Sequence, residues 1–295
     1  MWDSICYLNG EYLKLQDAKI SVLDRGFIFG DGVYEVVPVY QRNPFCMDEH
    51  LERLNRSLEA VSLQNPYSPD GWKEIIARLI QSHNAENQFI YFQITRGVAK
   101  RDHAFPENIK PTVFAMSSPF SPPSGKILEE GVSTITTVDN RWLRCDVKSI
   151  SLLSNILKRQ EAVQAGVLEV IMFRDGLLTE GSSANIYAVI EGQIIAPLKD
   201  NRILAGIRYG LMQRLCDTAG VIYAQRQVSK AELLNADEIL MSSATKEILA
   251  VTQVDEKPVG HGTKAGKPGA IWKKLFNAYQ QEKQLQCGTA PAFLA

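Results

Sequence analysis

A lysine set among apolar residues and cations is the first feature able to do covalent chemistry: Arg141-Trp142-Leu143-Arg144-Cys145-Asp146-Val147-Lys148-Ser149-Ile150. Loss of water and nearby positive charge both disfavour the ammonium form, so the Lys148 amine is predicted to be available for Schiff-base formation. Downstream, Thr179-Glu180-Gly181-Ser182-Ser183-Ala184-Asn185 puts a carboxylate and two serine hydroxyls in a small-residue turn that enters a strand. A carboxylate held against a pyridine nitrogen keeps it protonated, the electron-sink arrangement a pyridoxal cofactor needs. In Ile203-Leu204-Ala205-Gly206-Ile207-Arg208 a glycine opens a helix whose first N–H groups could meet a phosphate. Each has an ordinary alternative: Lys148 as a solvated surface charge, Glu180 as a loop acid beside a serine turn, Gly206 as a turn glycine. Cys145 reads as a packed thiol or, less readily, a nucleophile.

Other chemistries lack their motifs. There is no G-x-x-x-x-G-K-[ST] loop, no G-x-G-x-x-G after a strand, no H-E-x-x-H and no G-x-S-x-G. The four histidines, His50, His83, His103 and His261, are too scattered for a local metal cluster, so no metal is expected. Five spread cysteines without a C-x-x-C pair read as reduced thiols. A formal net charge of -1, with 22% charged and 45% hydrophobic residues, lacks the basic excess of a nucleic-acid partner. The amino terminus shows no basic-then-apolar leader and no run is long enough to span a membrane, so a cytoplasmic protein is expected.

These residues need a scaffold, and 295 residues suggest two domains or one large α/β domain. Composition shifts most at Ser117-Ser118-Pro119-Phe120-Ser121-Pro122-Pro123-Ser124-Gly125, where the prolines forbid a regular helix or central strand. Before it come a Gly-rich turn over Arg25–Gly32 and a strand over Val33–Tyr40. A helix over Asp48–Val61 follows, with Leu51, Leu54, Leu58 and Val61 on one stripe and Asp48 able to cap it. His50, Arg53 and Ser57 share a neighbouring stripe. A second helix is expected over Pro69–His83 and a strand over Phe89–Thr95. Beyond the boundary, strands are expected at 132–138, 168–173, 186–190 and 238–242, and helices at 154–165 and 207–219.

Taken together and in this order, the segments resemble the fold-type IV family of pyridoxal-phosphate enzymes. That family includes D-amino acid aminotransferases, branched-chain aminotransferases and aminodeoxychorismate lyases. The likeness runs from Asp24-Arg25-Gly26 through Glu247. Phe29-Gly30-Asp31-Gly32-Val33-Tyr34-Glu35-Val36-Val37 and Asp146-Val147-Lys148-Ser149 are most similar to the bacterial D-amino acid enzymes. The resemblance implies a two-domain α/β (α+β) fold. Residues 1–118 would form a small N-terminal α/β domain, 119–125 a Pro/Ser-rich linker, 126–283 a larger cofactor-binding α/β pseudo-barrel, and 284–295 a mobile tail. It further implies that Lys148 carries pyridoxal 5'-phosphate as a Schiff base and Glu180 pairs with the pyridine nitrogen. Arg53, supported by His50, would bind the phosphate together with the N–H groups of Ile207 and Arg208 and the Ser243-Ala244 turn, and Leu204 would pack under the ring. Arg101-x-His103 is similar to a substrate-carboxylate trap reaching across a homodimer, helped by a tyrosine at Tyr34. An arginine fork suits a carboxylate because it offers two parallel hydrogen bonds.

Three positions depart from the family pattern. Pro38 stands where a lysine is common, and Arg208 and Ala244 replace threonines that offer hydroxyls to the phosphate. Each lost charge-assisted bond is worth roughly 1.5–3 kcal/mol, which Arg208 would offset by pairing with the phosphate. The activity implied is transamination from D-alanine, D-glutamate or D-aspartate to 2-oxoglutarate or pyruvate. The alternatives are a branched-chain L-amino acid aminotransferase, an aminodeoxychorismate lyase-like enzyme, and a non-catalytic binding protein that keeps the fold.

Overall fold

The computed structural model describes residues 4–204 and 206–289. These fall into two compact units: the first spans the described residues through Phe120 with Val147–Leu152 and Gln286–Thr289, the second Ser121–Asp146 and Leu153–Leu285.

In the first unit, β1 (Ile5–Leu8), β2 (Glu11–Lys14), α1 (Arg25–Phe29), β3 (Gly32–Tyr40), β4 (Asn43–Pro44), α2 (Met47–Ala60), α3 (Pro69–Gln81), β5 (Gln88–Thr95) and β6 (Thr112–Pro119) follow in order. The strands make an antiparallel sheet in the order β2-β1-β6-β5-β3-β4. Alternation along β3 turns Val33, Val37 and Val39 into a core shared with Leu51, Leu54 and Leu58 of α2 and Trp72, Ile76 and Leu79 of α3. Each such side chain contributes about 1.5–3 kcal/mol on burial. Ser68 caps α3 by accepting from the Gly71 N–H, with Pro69 at its first position. Asp48 lies inside the first turn of α2, not at its cap, which is Cys46.

Two expectations change here. The Gly-rich segment at Arg25–Gly32 opens with a short helix, because Asp24 accepts from the Gly26 N–H and Gly30, in the left-handed region at φ 68°, ends it. Residues 147–152, expected in the C-terminal domain, belong to the first unit because their backbone pairs with β3: Tyr34 N–H donates to the Lys148 carbonyl (3.0 Å) and Ile150 N–H to that of Gly32 (3.1 Å).

The second unit contains α4 (Gly125–Glu130), β7 (Val132–Val138), α5 (Leu153–Gln164), β8 (Glu169–Arg174), β9 (Leu177–Gly181), β10 (Asn185–Ile190), β11 (Gln193–Ala196), α6 (Ile207–Ala219), β12 (Tyr223–Gln225), α7 (Lys230–Leu234), β13 (Glu238–Ser243), β14 (Glu247–Val254), β15 (Lys257–Pro258) and α8 (Ala270–Cys287). Its sheet runs β12-β11-β10-β13-β14-β7-β8-β9, with β15 on β14. β9 ends at Gly181 and β10 begins at Asn185, yet five strand spacings separate them in that order. Laid flat, those spacings span about 24 Å, whereas four residue steps reach at most about 14 Å. The sheet therefore curls so that β9 returns to β10, and Gly181 N–H bonds the Ala184 carbonyl (2.7 Å). Ile171, Ile186, Ile239 and Met241 fill the inside of the curl.

The tail expected to be mobile from 284 is helical through Cys287, the end of α8. Its last residues are held within the first unit: the Gln286 side chain accepts from Cys46 N–H (2.8 Å), and Asn43 donates to the Cys287 carbonyl (3.3 Å). Residues 290–295 of that tail lie outside the described residues. No helix among the described residues is long and apolar enough to cross a membrane.

Candidate active site

Lys148 rides on the added segment beside β3. Val147 anchors it in the core, the Lys148 N–H reaches Ser57 of α2 (3.3 Å), and Nζ lies 4.1 Å from the centroid of the Tyr34 ring. Among the described residues no side chain hydrogen-bonds or ion-pairs with Nζ, which leaves the half-buried amine uncommitted. The two arginines expected to depress it serve elsewhere: Arg141 pairs with Asp139 and Glu180, and Arg144 with Asp146.

Behind β3 lies a fully buried charge cluster. Glu35 accepts from Arg53 Nε (2.6 Å), Arg53 Nη2 (2.7 Å) and His50 Nδ1 (2.8 Å). Burial alone would raise the Glu35 carboxyl, but the charge and hydrogen bonds of Arg53, with His50, hold it well below the usual carboxylate range. The bidentate grip aims the guanidinium and occupies Nε and Nη2, so Nη1 is the nitrogen Glu35 does not take. The sequence reading missed Glu35 as a site residue. Its signal was a lone charge within the apolar alternation of β3, facing the His50-Arg53 stripe.

Arg101 and His103 lie exposed on the loop between β5 and β6, beside α1. The Arg101 guanidinium sits 5.4 Å from the Phe29 centroid and the His103 ring 5.4 Å from the same ring. Tyr34 lies on a different part of the sheet, against Tyr91 (5.6 Å).

In the second unit the curl places Glu180, on β9, opposite the start of β10. Arg141 Nη1 donates to Oε1 (2.5 Å), Asn185 Nδ2 to Oε2 (3.2 Å), and Leu204 N–H to both oxygens (3.2 Å). Three donors make four contacts to the two oxygens, the Leu204 N–H being shared between them. Burial raises the Glu180 carboxyl despite Arg141, which suits it to share a proton with a pyridine nitrogen. Arg141 is itself aimed by Asp139, which also accepts from Thr179 Oγ1 (2.8 Å) and pairs with Arg174 (3.1 Å). The Ser182-Ser183 turn is tied down by buried Glu169, which accepts from Ser182 N–H (3.1 Å), the Ser182 hydroxyl and the Ser183 hydroxyl (2.8 Å). Neither Asp139 nor Glu169 stood out in the sequence.

α6 starts at Ile207 behind Gly206, which has no side chain to cap it. The Arg208 guanidinium, expected to meet a phosphate, instead donates Nη1 to the Tyr279 hydroxyl (3.2 Å) and Nη2 to the Ala244 carbonyl (3.1 Å). It thereby ties the first turn of α6 to the 243–246 turn, where Ser243 Oγ accepts from Lys246 N–H (3.3 Å). Taken unit by unit, the Lys148 amine of the first, and the buried Glu180 carboxylate and the Gly206 helix start of the second, are groups of the chemistry that would meet the aldehyde, ring nitrogen and phosphate of pyridoxal phosphate.

Residues 32–254 match the family model described as amino-transferase class IV. A D-alanine aminotransferase of Staphylococcus epidermidis is 36% identical over 276 residues, covering 93% of this chain and 96% of that protein. One of Bacillus licheniformis is 37% identical over 272 residues, covering 92% and 94%. Among solved structures, the Escherichia coli branched-chain amino acid aminotransferase superposes with a TM-score of 0.87 at 25% identity, covering 97% of this chain and 95% of that one. A T.th. branched-chain amino acid aminotransferase solved with pyridoxamine 5'-phosphate shares the fold, with a TM-score of 0.87 at 22% identity and 99% and 96% coverage. The chain belongs to the class IV aminotransferases, in the fold-type IV architecture. It is an enzyme of amino-group transfer, and its relatives at 36–37% identity are D-alanine aminotransferases.

Proposed function

We propose that this protein is a cytoplasmic, homodimeric, pyridoxal-phosphate-dependent transaminase of D-amino acids. The observation that carries the reading is the uncommitted Lys148 amine over Tyr34. Support for the substrate class comes from the D-alanine aminotransferase relatives, and for a reducing compartment from the buried free thiols Cys6, Cys145 and Cys216. A second copy of the chain has a surface to meet: α5 turns Leu153, Ile156, Leu157 and Val163 outward, each more than half exposed.

Pyridoxal phosphate, when bound, supplies the electron sink that makes a substrate α-proton acidic. Lys148 would hold it, Glu180 would face its ring nitrogen, and Leu204 would pack beneath the ring. Arg53, the N–H groups of Ile207 and Arg208, and the Ser243-Ala244 turn would take its phosphate. Nζ of Lys148 would take the proton from the substrate α-carbon. Tyr34, with Arg101 and His103 of the partner subunit, binds the substrate carboxylate and so fixes which face of the α-carbon meets Lys148. D-alanine, D-glutamate and D-aspartate are the donors, 2-oxoglutarate or pyruvate the acceptor.

The test adds D-alanine, L-alanine or L-leucine to holoenzyme without an acceptor and follows the visible cofactor band. Loss with D-alanine alone is expected; loss with L-leucine alone would replace the reading by a branched-chain L-enzyme. Lys148→Ala should lower turnover by about 10³-fold or more. Wild-type turnover in that variant would sink the assignment.

A further inference from the structure

The Phe29 ring is the point where the two proposed carboxylate-binding side chains converge. Arg101 lies with its guanidinium carbon 5.4 Å from the ring centroid, and the His103 ring is 5.4 Å away, tilted by 35°. Both residues are exposed on a loop, where long polar side chains otherwise sample many rotamers. A cation near an aromatic face gains about 0.5–1 kcal/mol at such a site, enough to narrow that sampling.

The loop backbone beneath them is fixed separately. Buried Arg25 donates Nη1 to the carbonyls of Asp102 (2.5 Å) and Ala104 (3.3 Å) and Nη2 to that of His103 (3.4 Å). Its Nε is held by Asp31 (2.8 Å), which also takes Arg96 through Nε (2.8 Å) and Nη2 (3.0 Å). Arg96 in turn donates to the carbonyls of Val61 (2.7 Å) and Ser62 (3.1 Å) and lies 3.6 Å from the Phe105 centroid. One carboxylate, Asp31, thus orients two arginines: Arg25, which clamps the loop at its carbonyls, and Arg96, which packs on Phe105 of the loop and ties it to the end of α2. Phe29 and Arg25 are both on α1, so the helix that holds the loop backbone also presents the platform for its side chains.

We infer that Phe29 is a positioning residue for substrate recognition. It holds Arg101 and His103 in the arrangement that binds a carboxylate, on a loop clamped by Arg25, Asp31 and Arg96. This rests on the assignment of Arg101 and His103 to the substrate carboxylate proposed above. The Phe29 ring packs against Arg25, Arg101 and His103, none of them assigned to the cofactor, so its effect belongs to KM for the donor and not to kcat.

Holoenzyme carrying Phe29→Leu, Phe29→Tyr or Arg101→Lys is assayed with D-alanine, recording KM, kcat, the visible cofactor band and the unfolding temperature. F29L should raise KM roughly two- to fivefold. Its kcat should stay within about twofold and its band and unfolding temperature at wild type, since no group assigned to the cofactor or proton transfer is altered. F29Y, which keeps the ring, should restore KM. Should F29L not fold, F29M repeats the test without an aromatic face. An unchanged KM in F29L or F29M, while R101K raises it, overturns the inference. So does a joint fall of kcat, band and unfolding temperature. An R101K enzyme with unchanged KM would instead remove the carboxylate assignment on which the inference stands.

Discussion

Glu35, Asp139 and Glu180 are all buried acids, and what separates them is the number and geometry of their cationic partners. Glu35 has Arg53 and His50, and Asp139 has Arg141 and Arg174; both acids stay ionised where burial alone would protonate them. Glu180 shares Arg141 with Asp139, so burial wins and its carboxyl rises. For Asp139, burial pushes the carboxyl up, but Arg141 pulls it down to about 2. A depressed folded-state value stabilises the protein above the ordinary aspartate range, and that stability is lost as pH falls through it. Between about pH 4 and pH 2 the Asp139 contribution, about 2 kcal/mol, should disappear, with Glu35 adding a loss that extends lower. Glu180 works in the opposite sense, its contribution fading as pH rises. Denaturant unfolding across pH should therefore show an acid limb that D139N flattens. Identical limbs in D139N and wild type would contradict this account.

At the scale of elements, the loop carrying Arg101 and His103 leaves β5 through Gly97, whose φ of 98° and tight seat against the Lys110 carbonyl admit no side chain. A Cβ there would sit 2.1 Å from that oxygen. Gly97→Ala should cost roughly 3 kcal/mol in denaturant unfolding, from backbone strain and the displaced strand end; a change below about 1 kcal/mol would show that the loop relaxes freely. Long periodic elements such as α2, α3 and α6 were legible in the sequence because their apolar stripes repeat over three or four turns. α1 was not, because five residues hold too little period to compete with three glycines that spell a turn. Lys148, Glu180 and the Gly206 helix start were legible as residue types in order. The acids Glu35, Asp139 and Glu169, which hold Arg53, Arg141 and the Ser182-Ser183 turn, were not, since they act through contacts that only folding creates. The arginines beside Lys148 misled for the same reason: between Asp146 and Val147 the chain leaves one unit for the other.

At the scale of the whole molecule, the outward apolar face of α5 carries the homodimer reading. A double change, Ile156→Lys with Leu157→Lys, should shift sedimentation equilibrium toward monomer and raise KM for D-alanine sharply, while each chain keeps its cofactor band. A fully active monomer would remove the role of the partner subunit's Arg101 and His103. The first unit is discontinuous, since residues 147–152 complete one edge of β3 and residues 286–289 close on Asn43 and Cys46. On the ribosome, residues through 120 emerge well before either patch, so the nascent sheet waits with the Gly32–Tyr34 edge open. The segment bearing Lys148 docks on a sheet already built, and the last turn of α8 arrives only after the whole second unit has been made. A product truncated before residue 286 lacks the segment that closes on Asn43 and Cys46, and so cannot complete the unit that holds Lys148.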